Sequence, residues 1–288
     1  MATRREVLLA SAAPALALSA ASAAASAATS SLSLSDPRGL MTALVKLRGS
    51  LDGRIAIWWM KGPRFGVSGA EVTPLFDNFV TSFHQFRKQD DGSFLVTVVE
   101  LSYYVDLDSG KLLDKWRNPY TGELNDVEYI VFGPITSRLT PAGIESPRIT
   151  PGVELKVKPT IRLVGAHADD VWIAEDVRAT IVPKSGDRPR YAGNDLATYF
   201  GSRRQIDNVS RPGADATIHY QSVTNWRSWM KLGGRDGHLM ARSSGRKVWS
   251  PDDLPPDILA LARRLHPKII ADPRAALTAR QPEESFQR

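Results

Sequence analysis

The feature that most constrains this chain is a succession of β-branched and aromatic runs, each bounded by a turn signal. Residues 54–60, 94–105, 111–116, 127–132, 153–157, 160–164, 171–182, 216–225 and 238–248 are rich in Val, Ile, Thr, Tyr, Phe and Trp. Asp52-Gly53, Asp91-Gly92, Asp108-Ser109-Gly110, Tyr120-Thr121-Gly122, Ser185-Gly186-Asp187 and Ser244-Gly245 punctuate them. Strands joined by tight turns pair as hairpins, which predicts a mainly β domain: an antiparallel calycin- or lipocalin-like barrel, or a sandwich, with a few peripheral helices. The run 94–105 is apolar on both faces, so it is covered on both sides or lines an apolar cavity on one of them.

Helical spacing occurs in three places. Leu40, Ala43, Leu44 and Leu47 stand at i, i+3, i+4, i+7 behind Asp36-Pro37, an N-cap followed by proline. Leu196, Tyr199, Phe200 and Arg203 predict a second helix over 195–206, capped by Asn194, and 256–265 a third behind Asp252 and Asp253. The segment after Pro267 is polar and is expected to wrap the surface loosely. No repeat or shift of composition divides the chain, so 29–288 reads as a single domain.

Before residue 29 the pattern is that of a cleavable address. Met1-Ala2-Thr3-Arg4-Arg5-Glu6 is charged, and 7–28 is an uncharged run dominated by Ala, Leu and Ser. Thr3-Arg4-Arg5-Glu6-Val7-Leu8-Leu9 resembles the twin-arginine export consensus, which predicts passage through the twin-arginine translocase and a periplasmic mature domain. So much Ala and Ser makes a poor lipid anchor, so stable membrane insertion is not expected. Losing Arg4, Arg5 and Glu6 lowers the net charge of +6 by one, and the remaining cations are scattered among acids, unlike a nucleic-acid-binding arm. The absence of cysteine excludes disulfides, thiolate nucleophiles, zinc ribbons and iron–sulfur clusters. No phosphate loop, dinucleotide fingerprint, His-Glu-x-x-His or Gly-x-Ser-x-Gly is present, so no cofactor is expected. Asp106-Leu107-Asp108-Ser109-Gly110 begins like a calcium loop but lacks the later ligands, and reads as a hairpin turn; no metal site is expected.

The candidates for chemistry lie on the strand-like runs. His84 and His219 stand between aromatic neighbours, and each is either a general base or a hydrogen-bonded wall residue. Glu100 shares a strand face with Ser102 and Tyr104, while Tyr103 faces with Leu101 and Val105. A carboxyl group in so apolar a strand has a raised pKa if buried, and is an ordinary ion-paired glutamate if it faces solvent. Trp58-Trp59, Tyr103-Tyr104 and Trp226-Arg227-Ser228-Trp229-Met230 supply rings that either fill a core or wall a cavity suited to aromatic or terpenoid compounds.

Trp116-Arg117-Asn118-Pro119-Tyr120-Thr121-Gly122-Glu123 follows Tyr104-Val105-Asp106-Leu107-Asp108-Ser109-Gly110-Lys111, and this pair of segments resembles the signature of the bacterial domain-of-unknown-function 1838 family. Thr198-Tyr199-Phe200, Tyr220-Gln221-Ser222-Val223-Thr224-Asn225-Trp226-Arg227-Ser228-Trp229-Met230, Gly237-His238-Leu239 and Asp253-Leu254-Pro255 continue the resemblance over most of the mature chain. It implies export and brings no catalytic residues with it. As structure, Asn118, Pro119 and Gly122 suit a tight turn, whereas Trp116 and Arg117 exceed what a turn needs.

These features predict a cofactor-independent lyase, isomerase or hydrolase acting on a small apolar or aromatic compound inside a β-barrel. His84 or His219 would be its base, Glu100 or Tyr103 its acid and Arg117 its oxyanion clamp. Trp58, Trp116, Asn118, Tyr199, Trp226 and Trp229 would bind the compound. A non-catalytic periplasmic binder of a hydrophobic molecule needs the same pocket without a base. An envelope interaction module would have every ring in its core. From a host with an active twin-arginine translocase, intact mass should show a periplasmic protein starting at Ala28 or Thr29. Arg4→Lys together with Arg5→Lys should abolish its export; a leader that is retained, or export indifferent to these changes, overturns the reading.

Overall fold

The computed structural model describes residues 31–145, 153–183 and 191–279. The leader, the turn at Ser185-Gly186-Asp187 and the end of the polar tail lie outside the described residues. One helix, α1 (Pro37–Arg48), precedes the strands β1 (Ala56–Ser68), β2 (Glu71–Lys88) and β3 (Phe94–Val105). A small hairpin of β4 (Lys115–Arg117) and β5 (Leu124–Asp126) follows. Next come β6 (Ile130–Thr140), β7 (Gly143–Glu145), β8 (Val153–His167), β9 (Asp170–Pro183) and β10 (Tyr191–Ser202). After the short helix α2 (Arg203–Asp207) come β11 (Ala216–Thr224) and β12 (His238–Val248), then α3 (Pro256–Leu265), α4 (Pro267–Ala271) and α5 (Pro273–Thr278).

Apart from the small hairpin, the strands form one ten-stranded antiparallel sheet in the order β7-β6-β3-β2-β1-β12-β11-β10-β9-β8. Consecutive strands are neighbours, and the first pairs with the last through Ile57–Val248 and Val67–His238. The chain therefore walks once around a barrel, and a sandwich is excluded. Ten alternating strands would close evenly, and β7 supplies the even number. With three residues it lies beside β8 without building a ladder, so the barrel is nearly closed. The edge strand β8 runs straight through Pro159, tolerated there because an edge has no second ladder to supply with an N–H. Two of the sequence runs, 153–157 and 160–164, are thus one strand.

Other expectations change. Residues 195–202 belong to β10, not to a helix. That strand is paired on both sides, Asp195 with Val177 and with Ser222, and two ladders outweigh a weak helical spacing. Only Arg203–Asp207 is helical, and Ser202, not Asn194, caps it by accepting from the Gln205 N–H. β2 escapes the apolar pattern because its inward residues Asn78, Ser82 and His84 are polar and buried. The segment after Pro267 packs more closely than its polarity suggests: Ile270 on α4 and Leu277 on α5 are buried against the outer face of β1–β3.

Helix α1 fills one end of the barrel. Met41, Ala43, Leu44, Val45 and Leu47 are buried among Trp58, Phe86, Ile173, Tyr199 and Ile218. Asp36 caps the helix by accepting from the Gly39 N–H at 2.9 Å. At its other end, where carbonyls lack intrahelical partners, Lys247 Nζ donates to the carbonyls of Lys46 (2.7 Å) and Gly49 (3.0 Å), and Trp58 Nε1 to that of Arg48 (2.8 Å). Leu47→Ala should cost about 2–5 kcal/mol, read as a lowered urea midpoint, because its void cannot collapse between helix and strands. The exposed Leu124→Ala should stay within about 0.5 kcal/mol. Equal midpoints for the two variants would mean that α1 is not part of the barrel core.

Candidate functional site

Alternation on β3 sorts its residues between the two faces. Val99, Leu101 and Tyr103 join the outer cluster under α3–α5, whereas Val96, Val98, Glu100, Ser102 and Tyr104 face inward. A register shift between Val98 and Glu100 marks a bulge in β6 at Gly133-Pro134, where Gly133 has a φ of +97° and a Cβ would lie 2.2 Å from the Val98 carbonyl oxygen. Glu100 then pairs with Phe132, which shares its inward face yet is 40 % exposed. The barrel wall beside Glu100 is thus only partly covered on the β6 side.

Facing Glu100 from the other walls are Arg64 (β1), Asp195 (β10), Tyr220 (β11) and Arg227 just beyond β11. Tyr220 donates its hydroxyl to Asp195 Oδ1 at 2.5 Å. Arg64 Nε and Nη2 donate to Asn78 Oδ1 at 2.8 and 2.6 Å, and Nη1 to Ser222 Oγ at 3.1 Å. The Arg227 guanidinium lies over the Tyr191 ring, 5.6 Å from its centroid. Glu100, Asp195, Tyr191, Tyr220 and Arg227 all keep part of their surface exposed.

Burial and the Asp195 charge raise the Glu100 carboxyl to about 7, against the pull of Arg64 and Arg227. Burial also raises Asp195, opposed by the hydrogen bond from Tyr220 and by the same arginines. Burial raises the Tyr220 phenol well above its ordinary value, with the Asp195 charge adding to the effect, so it stays a donor. The pair therefore presents one acid that is half-protonated near neutrality beside one carboxylate more basic than usual. Among the described residues no three His, Asp or Glu side chains group as metal ligands.

The structure separates the histidines from this acid. His84 faces inward toward α1, where Arg48 Nε donates to its Nδ1 at 3.3 Å and its Nε2 lies 3.0 Å from Ser82 Oγ. Arginine can only donate, so the imidazole proton sits on Nε2, and burial with the Arg48 and Lys247 charges keeps the ring neutral. The same Arg48 binds Glu175 at 2.6 Å, and Glu175 accepts from Tyr199 OH at 3.3 Å. His84 and Tyr199 thus belong to the network between α1 and the barrel, and Trp58 packs edge-on against Tyr199 there. His219 is on the outer surface, in a shallow groove with Trp59, Phe200 and Arg246. Tyr103 is buried outside the barrel against Tyr129 and His266, its phenol pushed up by burial. Arg117 points to solvent and donates to its own turn at the Gly122 carbonyl, 2.9 Å away, which a clamp inside the barrel could not do.

Trp116, Asn118 and Trp229 close the end opposite α1. Trp229 packs on Phe76, Tyr104 and Trp116 with ring centroids 5.5–5.7 Å away. Asn118 and Asn125 both donate to the Met230 carbonyl, at 3.0 and 3.1 Å, fastening the small hairpin to the 3-10 turn Ser228–Met230. Trp226 lies outside this plug against Tyr120, its Nε1 donating to the Arg235 carbonyl. Two of the segments that resemble the family signature, 116–123 and 220–230, are therefore joined in one structural unit. The model of the family described as protein of unknown function (DUF1838) matches residues 54–287. The chain belongs to this family. No curated protein and no solved structure matches it. The DUF1838 match begins after α1, so the sheet, the hairpin plug and the C-terminal helices lie within it, whereas the helix that fills the other end precedes it.

Of the sequence candidates, only Glu100 reaches the interior acid cluster. Arg64, Asp195, Tyr191, Tyr220 and Arg227 are its new members. Tyr220 and Ser222 alternate with outward residues on β11, and Asp195 with Leu196 on β10, a signal hidden by reading 195–206 as helix. Carboxyl-selective carbon-13 NMR should follow Glu100 titrating near pH 7, and Asp195→Asn should move that midpoint down toward the usual range by removing the neighbouring negative charge. A Glu100 midpoint near 4 in the parent protein would refute the burial described here.

Proposed function

We propose that the barrel interior is the active site of a cofactor-independent enzyme that moves a proton on a small apolar or aromatic compound, as a lyase or isomerase does. The observation that carries this reading is the juxtaposition of Glu100 with the Asp195–Tyr220 pair, inside a wall of strands that is only partly covered on the β6 side. Protonated Glu100 acts as the acid. Asp195, oriented by Tyr220, acts as the base and takes a proton from carbon or oxygen of the bound compound. Arg64 and Arg227 stabilise the negative charge that develops when that proton leaves. The site is rigid because its members stand on strands and Arg64 is forked between Asn78 and Ser222. Neither histidine has a role in this scheme, and periplasmic action remains part of the proposal on the strength of the Arg4-Arg5 leader.

The pH dependence follows from the acid's role. Glu100 must carry its proton, so turnover falls as pH rises through about 7, and the Asp195 base gives the limb at lower pH. The mature protein is to be screened with aromatic and terpenoid metabolites, followed by mass spectrometry. Glu100→Gln should lower turnover about 10²–10⁴-fold and remove the alkaline limb, while His219→Ala leaves turnover unchanged. Turnover that survives Glu100→Gln with its alkaline limb intact overturns the assignment. Saturable binding with no conversion of any compound identifies a carrier.

A further inference from the structure

We propose that the compound held in the barrel is a monocarboxylate with an apolar body, its carboxylate seated against Arg227, Tyr104, Trp229 and Thr224 and its body along Phe132 and Val177. The inference rests on reading the interior as a small-molecule site, and it adds the chemical class of that molecule.

Unpartnered donors carry the argument. Tyr104 OH, Arg227 Nε, Trp229 Nε1 and Thr224 Oγ1 are buried atoms with no hydrogen-bond partner among the described residues. Tyr104, Trp229 and Thr224 are themselves at least nine-tenths buried. They belong to one end of the barrel: Tyr104 and Trp229 rings are 5.5 Å apart, Tyr104 is a neighbour of Arg227, and Thr224 ends β11 three residues before Arg227. An arginine Nε–H and an indole N–H can only donate, so at this end of the barrel unmatched donors outnumber the one unmatched acceptor, Asn125 Oδ1 on the hairpin plug. Leaving buried donors unmatched is unfavourable, and a bound oxyanion removes that penalty.

Charge points the same way. Arg64 and Arg227 face Glu100 and Asp195. With Glu100 protonated the cluster keeps one excess positive charge, which a single carboxylate neutralises and a neutral amide does not. A carboxylate also matches the in-plane N–H edge of the Arg227 guanidinium, which lies over the Tyr191 ring. Phe132 and Val177 face the same interior, one paired with Glu100 and the other with Asp195, and both keep exposed surface that an apolar body would cover.

The test is calorimetric titration of the mature protein at pH 6.5 with 2-naphthoate, 2-naphthamide and 2-naphthyl phosphate. Naphthoate should bind at least ~10-fold more tightly than the amide and more tightly than the phosphate. Arg227→Gln should bring naphthoate and amide within about two-fold of each other, while Arg227→Lys, which keeps the cation, retains part of the preference. Thermal melting of both variants identifies a folding defect, and Arg227→Lys then carries the comparison. Equal affinity for acid and amide, a preference for the phosphate, no binding of any probe, or a preference that survives Arg227→Gln each overturns the proposal. Glu100→Gln should keep the preference for naphthoate while losing turnover. A chain that selects the acid and converts nothing therefore overturns the acid–base reading alone, and a chain that turns over a neutral compound without selecting acids overturns this inference alone.

Discussion

The pairing of β1 with β12 joins the first long strand to the last and turns a meander into a barrel with an inside. Everything else in the architecture follows from having that inside to fill. The strands offer it apolar residues toward one end, where α1 inserts Leu44 and Leu47 beside Trp58 and Phe86. Toward the other end they offer rings, where the small hairpin and the 3-10 turn stack Trp116 and Trp229 on Tyr104. Between the two plugs the inward positions carry polar groups that no solvent-facing sheet would require.

Such an interior is costly to build, and the arrangement of partners shows how the cost is met. A buried carboxylate or guanidinium loses several kcal/mol of hydration unless it is both paired and hydrogen-bonded. Near α1 this requirement is satisfied: Arg48 donates to Glu175 and His84, Tyr199 completes Glu175, and Ser82 faces the other imidazole nitrogen. At the opposite end it is satisfied only in part. Arg64 is forked and Asp195 has Tyr220, but Glu100 is half-protonated near neutrality and Arg227, Tyr104 and Trp229 keep unmatched donors. The contrast separates a fully paired network that holds the fold from a group of side chains whose donors are left unmatched.

Several elements were legible in the sequence with nearly their final bounds: β3, β12, α3 and α1 with its Asp36 cap. Each obeys a local rule of alternation, helical spacing or capping. Where sequence reasoning failed, the interior was polar. β2 and β10 carry Asn78, Ser82, His84 and Asp195 on the face that periodicity expects to be apolar, so one strand went unnoticed except around His84 and the other resembled a helix. Glu100 was visible because it interrupts an apolar run. Asp195, Tyr220, Arg64 and Arg227 were not, because nothing in their neighbours distinguishes an interior polar residue from one facing solvent.

The sequence by itself determined a mainly β, cysteine-free domain with an amphipathic helix ahead of it, the face shared by Glu100, Ser102 and Tyr104, and the segments that resemble the DUF1838 family. Only the tertiary structure decided which face was the inside. Alternation assigns residues to two faces without saying which is buried, and that depends on the closure of β1 on β12, on α3–α5 covering Leu101 and Tyr103, and on the plugs at either end. Closure brought Glu100, Asp195 and Arg227 together from distant parts of the chain, and it placed His219 outside the wall.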